Sequence, residues 1–216
     1  MGAEKFKNLE KYLGLYFITD NSFGRSHIEL AEMVLKAGVK IIQFREKKMS
    51  TREMLENARE IRRLTEDYGA IFIVNDRLDV ALASEADGVH VGQDDMPAET
   101  VREIAGDIIL GVSASNVEEA LAAEKDGADY VGAGPVFTTT TKEDAGDAIG
   151  VTGLAEIVRA VKIPVIAIGG IDHSNAPSVL KTGCAGIAVI SAIAANDDPK
   201  ESAEELLEII KKFKKI

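Results

Sequence analysis

Gln43-Phe44-Arg45-Glu46-Lys47 closes a short apolar run, with two cations one residue apart. Period-2 alternation puts Ile41, Gln43 and Arg45 on one face of a strand and Ile42 and Phe44 on the other. A buried face ending in Gln and Arg is costly unless something anionic or polar meets it. The alternative is a surface salt bridge between Arg45 and a nearby Glu. Two further runs end in acids, Asn75-Asp76 and Gly92-Gln93-Asp94-Asp95. Carboxylates at adjacent strand ends can share one hard cation, and magnesium takes one or two of them, leaving its other positions to phosphate oxygens and water. Taken singly, Asp76 reads as the N-cap of a helix beginning at Leu78, and Asp95 as the cap of one near Pro97. Together, beside a cationic run, Asp76 and Asp95 point to a metal.

Gly111-Val112-Ser113-Ala114-Ser115 follows, where Ser113 can hydrogen-bond an anion and Ser115 serves equally as a helix cap. Phe137-Thr138-Thr139-Thr140-Thr141-Lys142 lies in a loop of about fifteen residues, longer than most connections, and reads either as a mobile phosphate clamp or as a plain polar loop. Gly169-Gly170-Ile171 and Val189-Ile190-Ser191, with a short helical turn near Ala192–Ala195, suit backbone binding of a phosphate. A serine nucleophile needs an oriented base. His27, His90 and His173 supply none and read as structural, while Cys184 reads as a small buried hydrophobe. The inventory is a metal–Arg–Lys–Thr site for a pyrophosphate and a backbone site for a monophosphate, with no nucleophile or base. Such a site works by holding two reactants together and stabilising a departing charge. That is a transferase acting at carbon with release of pyrophosphate.

These residues need a frame that gathers strand ends. Apolar runs recur at Leu15–Thr19, Val39–Phe44, Ala70–Val74, Gly88–Val91, Ile108–Val112, Tyr130–Val136, Ile163–Ile168 and Gly186–Ile190, which is the pattern of strands covered on both faces. Between them lie helical stretches such as Thr51–Tyr68, with Asn116 and Glu119 as a capping box and Gly38, Gly69, Gly127 and Gly183 at C-caps. The last helix, from about Ser202, ends in cations that complement its dipole. Eight strand–helix units predict one (β/α)8 TIM barrel over 1–216, with 1–14 as a helical N-terminal extension. A doubly wound open sheet is the runner-up, but no G-x-G-x-x-G follows the first run. The chemistry then sits at the carboxyl ends of the strands.

Composition narrows the partners. The chain has 25 Lys+Arg against 36 Asp+Glu, a net charge of −11, which argues against nucleic acid or an anionic membrane. No apolar run approaches the roughly 18 residues of a membrane span, and the charged first residues do not form a secretory signal. One cysteine fits a reducing cytoplasm. Small molecules are the expected partners, and the oligomeric state is not legible.

Taken in order, Gln43–Lys47, Asn75-Asp76, His90–Asp95, Gly111–Ser113, Thr139–Lys142, Ile168–Ile171 and Val189–Ser191 resemble the thiamine-phosphate synthase family from about Tyr16 to Pro199. The one departure is Thr138, where the family commonly has Pro. The resemblance implies joining of hydroxymethylpyrimidine pyrophosphate to a thiazole phosphate, through C–O cleavage and a pyrimidine-stabilised cation. It implies that Gln43, Arg45 and Lys47 contact the pyrophosphate, that Asn75 and Ser113 hold the pyrimidine substrate, and that Asp76 and Asp95 hold magnesium. Thr139, Thr141, Gly170, Ile190 and Ser191 would bind the thiazole phosphate, and Lys142 the pyrophosphate. Arg45, Lys47, Ser113 and Lys142 would be catalytic. The rivals are a thiazole tautomerase-like isomerase, which would need neither the cations nor the acid pair, and a non-catalytic barrel that binds thiamine phosphate.

Overall fold

In the computed structural model, residues 9–139 and 146–213 are described. Eight parallel strands close into a barrel in chain order. They are β1 (Leu15–Thr19), β2 (Ile41–Phe44), β3 (Ile71–Asn75), β4 (Gly88–Val91), β5 (Ile109–Ala114), β6 (Tyr130–Ala133), β7 (Val165–Ile168) and β8 (Gly186–Val189). β8 pairs back onto β1, with Leu15 beside Ile187. The open-sheet alternative is excluded. The helices are α1 (His27–Ala37), α2 (Thr51–Asp67), α3 (Leu78–Ala83), α4 (Ala98–Ala105), α5 (Val117–Lys125), α6 (Gly150–Ala160), α7 (Ala176–Leu180), α8 (Ser191–Ala194) and α9 (Pro199–Lys211).

Alternation along each strand divides the core in two. Phe17, Ile42, Phe44, Phe72, Val74 and Val131 pack outward among the helices. Tyr16, Ile18, Ile41, Ile73, Tyr130 and Ile166 pack inward, together with Leu9 and Leu13 from the N-terminal segment. That segment makes a 3-10 turn at Leu9–Lys11. A Cβ on Gly186 would lie 1.5 Å from the Leu13 carbonyl oxygen, so only glycine admits the segment this close to β8.

Local signals act as expected. Ser26 and Ser50 open α1 and α2 with full capping boxes. Asn116 accepts from the Glu119 amide, but the Glu119 carboxylate reaches the Ser115 amide at 2.7 Å rather than that of Asn116, so the reciprocal bond falls one residue early. Gly38, Gly69, Gly127 and Gly183 all take positive φ beyond helix ends. α9 starts at Pro199, earlier than the charge pattern indicated, because Asp198 caps it by accepting from the Glu201 amide.

The amino ends of the strands carry a device used twice. Asp87, before β4, accepts from the Phe72 amide at 2.9 Å and from Arg62 at 3.1 Å. Asp129, before β6, accepts from the Leu110 amide at 2.8 Å and from Arg102 at 2.5 Å. Each aspartate thus joins two adjacent strands and ties them to a helix. A cavity of about 320 Å³ lined by Arg62, Glu85, Asp87 and Asp107 opens here, away from every site residue named above. Among the described residues no helix is long and apolar enough to cross a membrane.

Candidate active site

The polar strand ends gather at the carboxyl mouth of the barrel. Gln43 is 2% exposed on β2 and faces the interior with Ile41, as alternation required. Two residues on, the Arg45 guanidinium lies 3.4 Å from Asp20 just beyond β1. Its partner is therefore an aspartate from the first loop, not a nearby Glu, and the pair stays at the mouth. Lys47 turns the other way and its ammonium sits on Oδ2 of Asp76.

Asp76 adopts φ of +59°, a left-handed conformation that non-glycine residues rarely take and that gathers at functional sites. It does not cap the next helix: Arg77 is the N-cap residue of α3 and makes no side-chain cap. The Asp76 carboxyl neighbours that of Asp95 instead. Burial pushes the Asp76 carboxyl above the usual range, Asp95 pushes it further, and the Lys47 ammonium opposes both. Asp95 likewise leaves its helix uncapped and accepts from the Gly92 amide at 2.8 Å. A like-charged pair of half-buried carboxylates is a hard-oxygen donor set, and it fits magnesium. Asn75 is half-buried beside His90 in the β3–β4 register.

A second network, which the sequence reading missed, lies under Arg45 and Lys47. His27 is buried, 2.7 Å from the Thr19 hydroxyl and 3.2 Å from Glu46, and packs edge-on to Phe44. Burial lowers the His27 pKa, with Glu46 opposing. Glu46 accepts from the Lys48 amide at 2.5 Å and the Met49 amide at 3.3 Å. Burial alone would raise its carboxyl, but these amides and the His27 ring hold it below the usual range. The loop carrying Arg45 and Lys47 is thereby folded around a buried carboxylate. The signal was available: Glu46 stands between two strand-end cations, where alternation turns it away from them.

A third arrangement crosses the barrel. The Gln43 amide Nε2 donates to the Tyr16 hydroxyl at 2.8 Å, and that hydroxyl lies 2.8 Å from Tyr130. Tyr130 lies 3.0 Å from Nδ1 of His90, whose Nε2 lies 2.9 Å from the Ser113 hydroxyl. Room for the rings comes from glycine: a Cβ on Gly111 would meet the Tyr130 ring at 2.2 Å, and one on Gly132 would meet His90 at 2.9 Å. Gly111 stands beside His90 on one side and Tyr130 on the other. Inward glycines next to an inward histidine were the sequence signal for this packing.

On the far side of the mouth, β6 and β7 run on as a pair, with the Val136 amide donating to the Ile168 carbonyl and that of Phe137 to Gly169. Gly169 and Gly170 take φ of +99° and +63°, and a Cβ on Gly170 would meet the Thr138 carbonyl at 2.8 Å. The polar loop is thus seated directly on the glycine pair, with Thr139 half-buried. Ile190 is half-buried and Ser191 opens α8, which runs Ser191–Ala194 rather than one residue later. Thr140, Thr141 and Lys142 lie outside the described residues. His173 contacts the Ser202 carbonyl, and Cys184 is buried in the outer core.

Residues 15–193 match the family described as thiamine monophosphate synthase. The chain belongs to that family. Within it, the thiamine-phosphate synthase of Archaeoglobus fulgidus is 64% identical over 206 residues, covering 95% of this chain and 97% of its own. That of Chloroflexus aurantiacus is 52% identical over 198 residues, covering 91% and 92%. Among solved structures, thiamine phosphate pyrophosphorylase from Pyrococcus furiosus superposes with a TM-score of 0.91 at 50% identity, covering 95% of this chain and 99% of its own. Members of this family with such names are transferases, and this chain is one of them.

Proposed function

We propose that the protein joins hydroxymethylpyrimidine, delivered as its pyrophosphate ester, to the nitrogen of a thiazole phosphate, giving thiamine phosphate and pyrophosphate. The carrying observation is the cluster of Lys47, Asp76 and Asp95 at the ends of adjacent strands, in a chain that matches the family over residues 15–193. A tautomerase would not need that cluster, and turnover separates the reading from a passive binder.

In this reading Gln43, Arg45 and Lys47 face the pyrophosphate. Asp76 and Asp95 hold one magnesium ion, which when bound neutralises charge on the departing pyrophosphate. Arg45, now held by Asp20, exchanges that carboxylate for a phosphate oxygen, a partner that suits a guanidinium at least as well. Lys47 does the same by leaving Asp76. Asn75 and Ser113 orient the pyrimidine, and the fixed ring lets the C–O bond break before the thiazole nitrogen arrives. Thr139, Gly170, Ile190 and Ser191 hold the thiazole phosphate across the mouth. Thr141 and Lys142, outside the described residues, carry the roles that the family resemblance gives them, on the thiazole phosphate and the pyrophosphate. No residue need remove a proton from a nucleophile, because the attacking thiazole nitrogen already has a lone pair. The single cysteine is consistent with work in a reducing cytoplasm.

The test is direct. Protein, magnesium and both substrates should yield thiamine phosphate and pyrophosphate in equal amounts. Thiazole isomerisation without coupling, or binding without turnover, would replace this reading with one of its rivals.

A further inference from the structure

The chain of hydrogen bonds from Gln43 to Ser113 has a direction, and the direction can be worked out. An amide nitrogen only donates, so the Tyr16 oxygen receives from Gln43, and the proton of this buried hydroxyl finds its acceptor in Tyr130. Tyr130 in turn gives its proton to Nδ1 of His90. A neutral imidazole has one N–H, so His90 carries it on Nε2 and gives it to the Ser113 oxygen. An imidazolium would break the chain, because Nδ1–H and Gln43 would then both point donors inward along it. Burial supports this state by raising the pKa of both phenols, which keeps each as a single-proton link. The one hydroxyl proton left unused by the chain is that of Ser113.

We propose that Tyr16, Tyr130 and His90 are positioning residues that fix Ser113 as a hydrogen-bond donor to a ring nitrogen of the pyrimidine substrate. They touch no reacting atom. Their effect is to hold the Ser113 oxygen in place through His90 and to set which way its proton faces. The proposal rests on the pyrimidine site described above. A bond from a neutral hydroxyl to a ring nitrogen is made in the bound substrate and weakens as C–O cleavage spreads positive charge into the ring, so it contributes to binding and does not speed the bound complex.

The tautomer of His90 is read by 15N NMR of the whole protein at neutral pH, and the proton should be on Nε2. Tyr16→Phe and Tyr130→Phe each remove one hydroxyl and keep the ring in the core. Each should raise KM for the pyrimidine pyrophosphate about tenfold, as for loss of one neutral hydrogen bond. KM for the thiazole phosphate should stay within twofold of the parent, and kcat should not fall. Pyridine analogues with one ring nitrogen replaced by C–H extend the test: the parent should discriminate against one of them, and Tyr130→Phe should lose most of that discrimination. A proton on Nδ1, an imidazolium, unchanged KM in both variants, or a loss confined to kcat would each overturn the proposal. If the parent protein makes no thiamine phosphate, the functional reading fails, and the His90 tautomer alone still decides whether the relay runs as derived.

Discussion

Lys47 and Asp76 hold each other across the ends of two neighbouring strands, the ammonium seated on a carboxyl that also faces Asp95. The lysine is about half exposed, at 47%, so its pair with Asp76 does little for the fold. In the proposed reaction its value lies in being a cation that a pyrophosphate can claim. Lys47→Ala and Arg45→Ala should each lower kcat about 100-fold, the scale for removing one group that stabilises developing charge. Thermal unfolding of Lys47→Ala should shift by only about 2–4 °C, roughly 1 kcal/mol for a chain of this size. Variants with full activity would mean that the pyrophosphate is bound elsewhere.

Asp76 and Asp95 repel each other when no divalent ion lies between them. Asp76→Asn removes one charge and keeps a residue that tolerates positive φ. Without divalent ions this variant should therefore melt at or slightly above the parent temperature, while magnesium-dependent turnover is lost. Excess chelator should abolish turnover by the parent protein. Undiminished product formation under chelation would remove the metal from the account.

Buried His27 and Glu46 make the loop under Arg45 and Lys47 sensitive to acid. The folded-state pKa of each is below its ordinary value, so each contributes stability that is present above that value and lost as pH falls through the folded one. For His27 the loss begins below about pH 6.5, and for Glu46 it follows below about 4.5. Melting temperature should thus fall between pH 6.5 and 5 in the parent and fall less steeply in His27→Gln. Parallel curves would show that the His27 ring does not titrate with unfolding.

Gly111 gives up a side chain so that His90 and Tyr130 can share the barrel interior. Gly111→Ala forces a methyl against both rings and should cost about 1–3 kcal/mol, the usual range for overpacking a core. Denaturant unfolding measures it. A neutral effect would mean that the rings can shift, and with them the hydrogen bonds they carry.

Much of this was legible in the sequence, for physical reasons. Most strands are short apolar runs, several with a polar residue at or just past the carboxyl end, and parallel strands closed into a barrel must bring those ends together. The positions of Arg45, Lys47, Asp76 and Asp95 followed from that alone. Which way each side chain turns did not follow, because Asp20, outside any strand, competes for Arg45, and Asp95 prefers the Gly92 amide to a helix cap. The Tyr16–Tyr130 contact was hidden because 114 residues separate the two, and inward-facing partners depend on barrel register rather than on spacing. His90 read as structural for want of a visible neighbour; its neighbours stand on other strands.

Leu9 and Leu13, tucked among the inward side chains beside Gly186, turn the barrel into a well with a stopped bottom. Whatever enters at the rim must leave by the rim. Two reactants and two products would therefore queue at a single doorway, and the order in which they pass is a property of the rim loops, not of the floor.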